Sequence, residues 1–353
     1  MSRRDESIDQ LRGLAMFWVV VVHVLYWGNF FSSGYINLLK SFCLFEMPLF
    51  FFVTGASNSF SKVDGYLNFV YKRYKRFLIP YWFYAVICAG LSIAYRGITN
   101  GIDVASAIKI LSSWAMPVNR QITSISYLTW ALWFAPVYLS VVLILPLLKR
   151  VKSSKYNIAF LFVLIALFCI TSFSNMGWIQ NVAFYSVWTY IGLFYMDIIS
   201  GIESPRFRKR VGLTILIGIV ILLALYLLGY PMDMQSNKFP PNTIFGVFSI
   251  VTMSLIVLAI PCVNDIYIYI YKRECAKRIA DKFSRHSMTI FLYQAFAFNF
   301  TIRLSNFLIP GDSILASMIK SIICLITTVP ICTLLAHIFG GVETIGTNLK
   351  QHK

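Results

Sequence analysis

The sequence predicts an all-α polytopic membrane bundle of about ten transmembrane helices, with both termini in the cytoplasm. Three observations predict it. Hydrophobic residues make up 58% of the 353 positions, where a soluble domain carries roughly 45–50% with glycine included. The excess is gathered in long apolar runs separated by short charged ones, the pattern of membrane spans. Lysine and arginine then fall in alternate connecting segments, as the positive-inside bias requires.

A span needs roughly 20 apolar residues to cross a hydrocarbon core about 30 Å thick, and ten segments qualify. The first, 11–30, is long and lacks a small-residue cleavage pattern, so it is read as a retained helix and not a signal peptide. The second, 40–58, contains LFEMPLFFFVTG. The third, 77–95, follows the basic run KRYKRFLIPYW, in which Pro80 is expected to interrupt or kink the start of the helix. The fourth, 128–148, begins with LTWALWFAPV and ends at Lys149 and Arg150. The fifth is 156–173. The sixth, 183–199, is aromatic-rich and ends around Asp197. The seventh, 211–230, follows the basic run RFRKR. The eighth is 243–262, the ninth 286–306 and the tenth 316–339. No internal repeat is visible and no soluble domain remains, so residues 1–353 read as one integral membrane domain. The connection 96–127 holds a candidate amphipathic helix, DVASAIKILSSW. The connection 231–242, PMDMQSNKFPPN, is polar and proline-punctuated. It is either a cover over an outward-facing pocket or a plain loop.

With the N-terminus in the cytoplasm, 24 of the 31 basic residues lie on the inner side. They form clusters such as Lys72–Arg76, Lys149–Lys155, Arg206–Arg210 and Lys272–Arg285, and reach from Arg3 and Arg4 to Lys350 and Lys353. The other side holds only Lys40, Arg96, Lys109, Arg120, Lys238, Arg303 and Lys320. This placement directs the net charge of +17 toward anionic lipid and away from nucleic acid. The seven cysteines lie mostly in apolar runs with no CxxC pair, and the four histidines are scattered. Neither a disulfide set nor a metal site is expected.

Ionisable groups inside spans demand an explanation. Arg12 and His23 are 11 positions apart on the first helix. At 100° per residue they lie within about 20° of one face, about 16 Å apart along the axis. Asp9 is placed to pair with Arg12. Glu46, on the antiparallel second helix, comes out at the depth of His23, where a His–carboxylate pair would fix the imidazole tautomer. Arg73 and Arg76 share a helix face, and planar guanidinium groups match phosphate geometry. They read either as phosphate ligands or as a positive-inside flank. Gly55 and Gly192 suit close helix approach. Trp130 and Trp133 fit either an outer aromatic belt or the apolar wall of a pocket, Trp130 leaning to the belt and Trp133 to the pocket. Ser287, Tyr293 and Gln294 in SRHSMTIFLYQ are polar groups able to line the bundle interior.

Taken together, the sequence resembles the membrane-bound acyltransferases of the acyltransferase-3 family. The resemblance is carried by IDQLRGLAMFWVVVVHV with its Arg12-x10-His23 spacing, then MPLFFFVTGASNSF with Thr54 where serine is common. It continues through FVYKRYKRFLIPYWFY with Arg73, Arg76 and Pro80, LWFAPVYL with Trp133 and Phe134, and SRHSMTIFLYQ with Ser287 and Tyr293. These segments span nearly the whole chain. One departure is Gln294, where many relatives carry histidine. Some relatives also carry a C-terminal hydrolase-like domain, and here the last helix is followed by only about ten residues.

The resemblance implies transfer of an acyl group, most plainly acetyl from acetyl-coenzyme A, to a hydroxyl of a cell-surface or lipid-linked carbohydrate in a bacterial plasma membrane, with polysaccharide-biosynthesis proteins as partners. The expected catalytic residues are His23, Glu46 and Arg12. Arg12, Arg73 and Arg76 are expected to bind the donor, and Trp133, Tyr293 and Ser287 to line the acceptor pocket, with no metal. Two other classes fit a polytopic bundle: a glycolipid or small-solute transporter, and a noncatalytic assembly partner. Coenzyme A binding separates them from the enzyme.

Overall fold

The computed structural model describes residues 6–28, 40–63, 65–118, 120–311 and 313–345. The start and end of the chain, including Arg3, Arg4, Lys350 and Lys353, lie outside them, as do residues 29 and 30 of the first expected span. Among the described residues the secondary structure is helical. In chain order the helices are α1 (Glu6–Trp27), α2 (Glu46–Ser59), α3 (Tyr66–Asn100), α4 (Val104–Ser113), α5 (Phe134–Lys152), α6 (Asn157–Phe173), α7 (Trp178–Gly192), α8 (Tyr195–Ile202), α9 (Pro205–Leu227), α10 (Met234–Lys238), α11 (Thr243–Tyr271), α12 (Glu274–Arg285), α13 (Ser287–Leu308), α14 (Ile314–Phe339) and α15 (Gly341–Ile345). Two short 3-10 turns, Ser126–Leu128 and Trp130–Trp133, lead into α5.

Among the described residues, six helical stretches are long and apolar enough to cross a bilayer: α1, α3, Ser126–Lys152, α9, α11 and α14. A seventh is reached if α7 and α8, bent by 57° at their junction, count as one span. The other three expected spans are helical but fall short of that standard for separate reasons. The segment 40–58 is a 14-residue helix only from Glu46 onward. α6 is strongly apolar but has 17 residues. α13 has the length, yet carries Gln294, Asn299, Thr301, Arg303 and Ser305. The start of the third segment also differs from expectation. α3 is one 35-residue helix that runs through Pro80. The ring removes one amide donor from the ladder but does not end the helix.

The chain divides into two units, residues 1–62 with 144–284, and 63–143 with 285–353. In the first, α2 and α7 meet through two glycines. A Cβ on Gly55 would lie 2.0 Å from the carbonyl oxygen of Thr189, and one on Gly192 2.1 Å from that of Phe52. Backbone contact of this kind is what small residues permit in a membrane, where apolar surface gains nothing by leaving lipid. Around the contact lie the buried rings of Phe51, Phe52, Tyr185, Tyr195 and Phe245. At the unit's edge, α9 has only 6% of its apolar stretch buried. It seats Gly218 closely against Val251 of α11.

The second unit is organised by tyrosines of α3 that satisfy loop carbonyls. Tyr81 donates to Trp114 O at 2.9 Å and Tyr84 to Leu128 O at 2.7 Å. The 103–114 segment forms α4 as expected, with Asp103 as its N-cap, its Oδ1 accepting from the Ser106 amide at 2.7 Å. α13 and α14 pack side by side, with Thr301 bonded to Thr328 at 2.9 Å.

Candidate active site

In the first unit, Arg12 and His23 lie on the one unbroken helix α1, as their spacing predicts. Arg12 Nη1 pairs with Asp9 Oδ1 at 3.0 Å, also as expected, and its Nη2 donates to Ser57 Oγ of α2 at 2.6 Å. The guanidinium is half-buried, so charge-assisted bonds to two elements fix its direction. The first turns of α1 are pinned as well. Ser284 Oγ donates to Asp9 O at 2.6 Å and Tyr267 OH to Gln10 O at 2.9 Å. Gly13 leaves room for that tyrosine, since a Cβ there would lie 2.8 Å from its hydroxyl. Three turns further on, the half-buried His23 ring stacks on Trp27, centroids 4.0 Å apart and planes within 6°. The ring is thus oriented by an aromatic face on its own helix, an i,i+4 neighbour.

The expected pairing of His23 with Glu46 is not what forms. Glu46 Oε1 is ion-paired with Lys238 Nζ, both side chains almost wholly buried. Glu46 Oε2 has no hydrogen-bond partner among the described residues. A full ammonium charge outcompetes a neutral imidazole for a buried carboxylate, because an unneutralised ion costs several kcal/mol there. The cation comes from the 231–242 connection, which is therefore more than a surface loop. α10 lies within it, Met234 N donates to Ser41 Oγ at 3.0 Å, and Gln180 Nε2 donates to Pro241 O at 2.8 Å. Sequence reading missed Lys238 and Gln180. The signal was present in the charge pattern. Of the seven basic residues on the sparse side, Lys40, Lys238 and Lys320 are buried.

In the second unit, Arg73 donates from Nη1 to Phe69 O at 3.2 Å, and its guanidinium carbon sits 3.3 Å from the centroid of the Phe69 ring. Arg76, one turn on, is exposed. Trp133 is half-buried in the second 3-10 turn and meets Phe134 edge-on at 6.5 Å. Tyr293 is buried, stacked on Phe339 at 4.4 Å and edge-on to Tyr84 at 5.2 Å. Its hydroxyl has no partner among the described residues. Ser287 is the first residue of α13. It lies six positions before Tyr293, about 120° away around the helix, so the two do not share a face. Gln294 is fully buried and donates to Phe291 O at 3.0 Å. Glu343 of α15 accepts from both the amide and the hydroxyl of Thr289, each at 2.6 Å, and so satisfies one of the first-turn amides of α13. Among the described residues no group of three or more His, Cys, Asp or Glu is placed to hold a metal.

Long apolar helices, a pinned arginine on the same helix as a stacked histidine, and buried charges describe a multi-pass membrane protein with polar groups inside it. The family model described as an acyltransferase domain, acyltransferase-3, matches residues 5–337. The chain belongs to that family and is an acyltransferase. Among curated proteins and among solved structures, none matches it.

Proposed function

We propose that the protein transfers acetyl from acetyl-coenzyme A to a hydroxyl of a cell-surface or lipid-linked carbohydrate, working as a ten-span protein of the bacterial plasma membrane with both termini inside. The observation that carries the mechanism is α1 itself. It holds an arginine fixed by Asp9 and Ser57 at one end and an imidazole oriented by Trp27 three turns on. The family supports acyl transfer in general. The orientation rests on the inner-side excess of lysine and arginine.

His23 acts as general base. It takes the proton from the acceptor hydroxyl as that oxygen attacks the thioester carbonyl. The new C–O bond forms, the C–S bond breaks, and the proton passes from the imidazolium to the leaving thiolate to give free coenzyme A. Arg12 contacts donor phosphate, for which a fork of N–H donors is suited. Arg73 and Arg76 are candidates for the same role on residue type alone. Glu46, neutralised by Lys238, is not the partner that orients the base. Tyr293 is a candidate donor to the developing oxyanion on residue type alone. Trp133 and Ser287 remain the candidate lining of the acceptor pocket. Polysaccharide-biosynthesis proteins would deliver or accept the glycan.

The test is reconstitution of the full chain in lipid vesicles with acetyl-coenzyme A and a pool of lipid-linked glycans. Release of free thiol matched by new acetyl ester is the expected result. Absence of donor binding would return the protein to the transporter or assembly classes.

A further inference from the structure

Within the first unit, α2 and α7 run parallel in a fixed register. Gly55 backs onto Thr189, and four residues earlier on each helix Phe51 stacks on Tyr185 at 4.4 Å. Five residues earlier again on each, the same register brings Glu46 level with Gln180. Both side chains are buried, at 2% and 1% exposure. Each uses one atom on the 231–242 connection, Glu46 Oε1 on Lys238 and Gln180 Nε2 on the carbonyl of Pro241. Lys238 and Pro241 are themselves joined by a backbone bridge. These contacts form a chain from Glu46 through Lys238 and Pro241 to Gln180, and one oxygen at each end is left over. Glu46 Oε2 and Gln180 Oε1 accept from nothing among the described residues.

Buried polar atoms are nearly always satisfied, and each exception asks for an explanation. Here both unused atoms are acceptors, so what completes them is a donor. The carboxylate charge is already matched by Lys238, so the donor is neutral. A polyol is a neutral group that offers two donors at close spacing. We propose that Glu46 and Gln180 form a subsite for adjacent hydroxyls of a sugar, with the 231–242 connection as its cover. Naming that sugar as the acyl acceptor rests on the function proposed above; the binding site itself does not.

The experiment uses the full chain in lipid nanodiscs and follows thermal unfolding with methyl glycosides of glucose, galactose, mannose and rhamnose. Each is run beside its fully O-methylated counterpart, which has the same shape and no donors, and coenzyme A is run in parallel. At least one free glycoside is expected to raise the unfolding temperature while its methylated form does not. Gln180→Met should lower that glycoside's affinity roughly tenfold, the size of one lost hydrogen bond, while the shift from coenzyme A persists as proof of folding. If Gln180→Met does not fold, the charge-free pair Glu46→Met with Lys238→Met replaces it, with the same loss expected. The subsite is overturned if the methylated sugars stabilise equally, if the folded variant keeps full affinity, or if no glycoside acts, in which case buried water fills both oxygens. A glycoside shift without a coenzyme A shift upholds the subsite and removes the acyl-transfer reading. The reverse removes the subsite alone.

Discussion

Arg12 joins two helices: its Nη2 donates to Ser57 Oγ of α2 at 2.6 Å while its Nη1 holds Asp9 of its own helix at 3.0 Å. A lysine keeps the charge but is a single point that cannot reproduce this planar fork. Arg12→Lys is therefore expected to raise the donor KM about tenfold, with a stability loss of about 1 kcal/mol for the lost bond to Ser57. Steady-state kinetics against acetyl-coenzyme A checks it. A wild-type KM would show that charge alone suffices.

The Glu46–Lys238 pair gives a sharper stability test. Removing one partner strands a buried charge, so Lys238→Met alone should destabilise the protein by about 3–5 kcal/mol. Adding Glu46→Gln removes the stranded charge and should recover most of that loss. Thermal unfolding of the two variants measures the coupling. A double variant no more stable than Lys238→Met would mean that the pair is not the source of the effect.

Glycines at the α2–α7 contact should be intolerant. Gly55→Ala and Gly192→Ala each place a Cβ about 2 Å from a carbonyl oxygen, and that oxygen belongs to backbone. Separating the helices to make room should cost about 3 kcal/mol, the upper end for overpacking, or more. Gly90 and Gly212 have open space around the same position, and their alanine variants should behave as wild type. The yield of monodisperse protein after size exclusion separates the two groups.

Asp103 caps α4, and hydrogen bonds from the hydroxyl and amide of Ser106 hold its carboxyl below the usual range. A depressed folded value means that the cap's contribution is complete above the ordinary carboxylate value. It is lost as pH falls through the folded one. α4 should fray in acid, and Asp103→Ala should remove that pH dependence by fraying it throughout. A spin label on the exposed face of α4 reports the ordering directly.

The sequence made the helices legible because apolar length and charge alternation are local signals. Among the described residues, each of the ten expected segments lies largely on helix, and the amphipathic α4 was readable from its own periodicity. The segments that miss the span criterion do so for reasons of boundary and polarity. Six residues of 40–58 precede the helix proper, and α13 carries side chains suited to bonds inside a bundle. Arg12 with Asp9 could be read because helical spacing alone sets their geometry. Glu46 could not, since its partner Lys238 is 192 positions away and only folding brings the 231–242 connection to it. The same holds for Gln180, whose partner is a backbone carbonyl that no pattern of side chains reveals. Lys238 left one faint trace: a lysine on the side of the membrane where lysine is scarce.

The most direct measurement compares two cell lines at equal membrane abundance of the protein, one with the intact chain and one with His23→Ala, by mass spectrometry of their surface glycans. General-base catalysis is typically worth about a hundred- to ten-thousand-fold, so the intact line should carry acetyl esters on a defined sugar and the variant should lack them. Glycans acetylated equally in both lines would contradict the role of His23 and, with it, the mechanism built on α1.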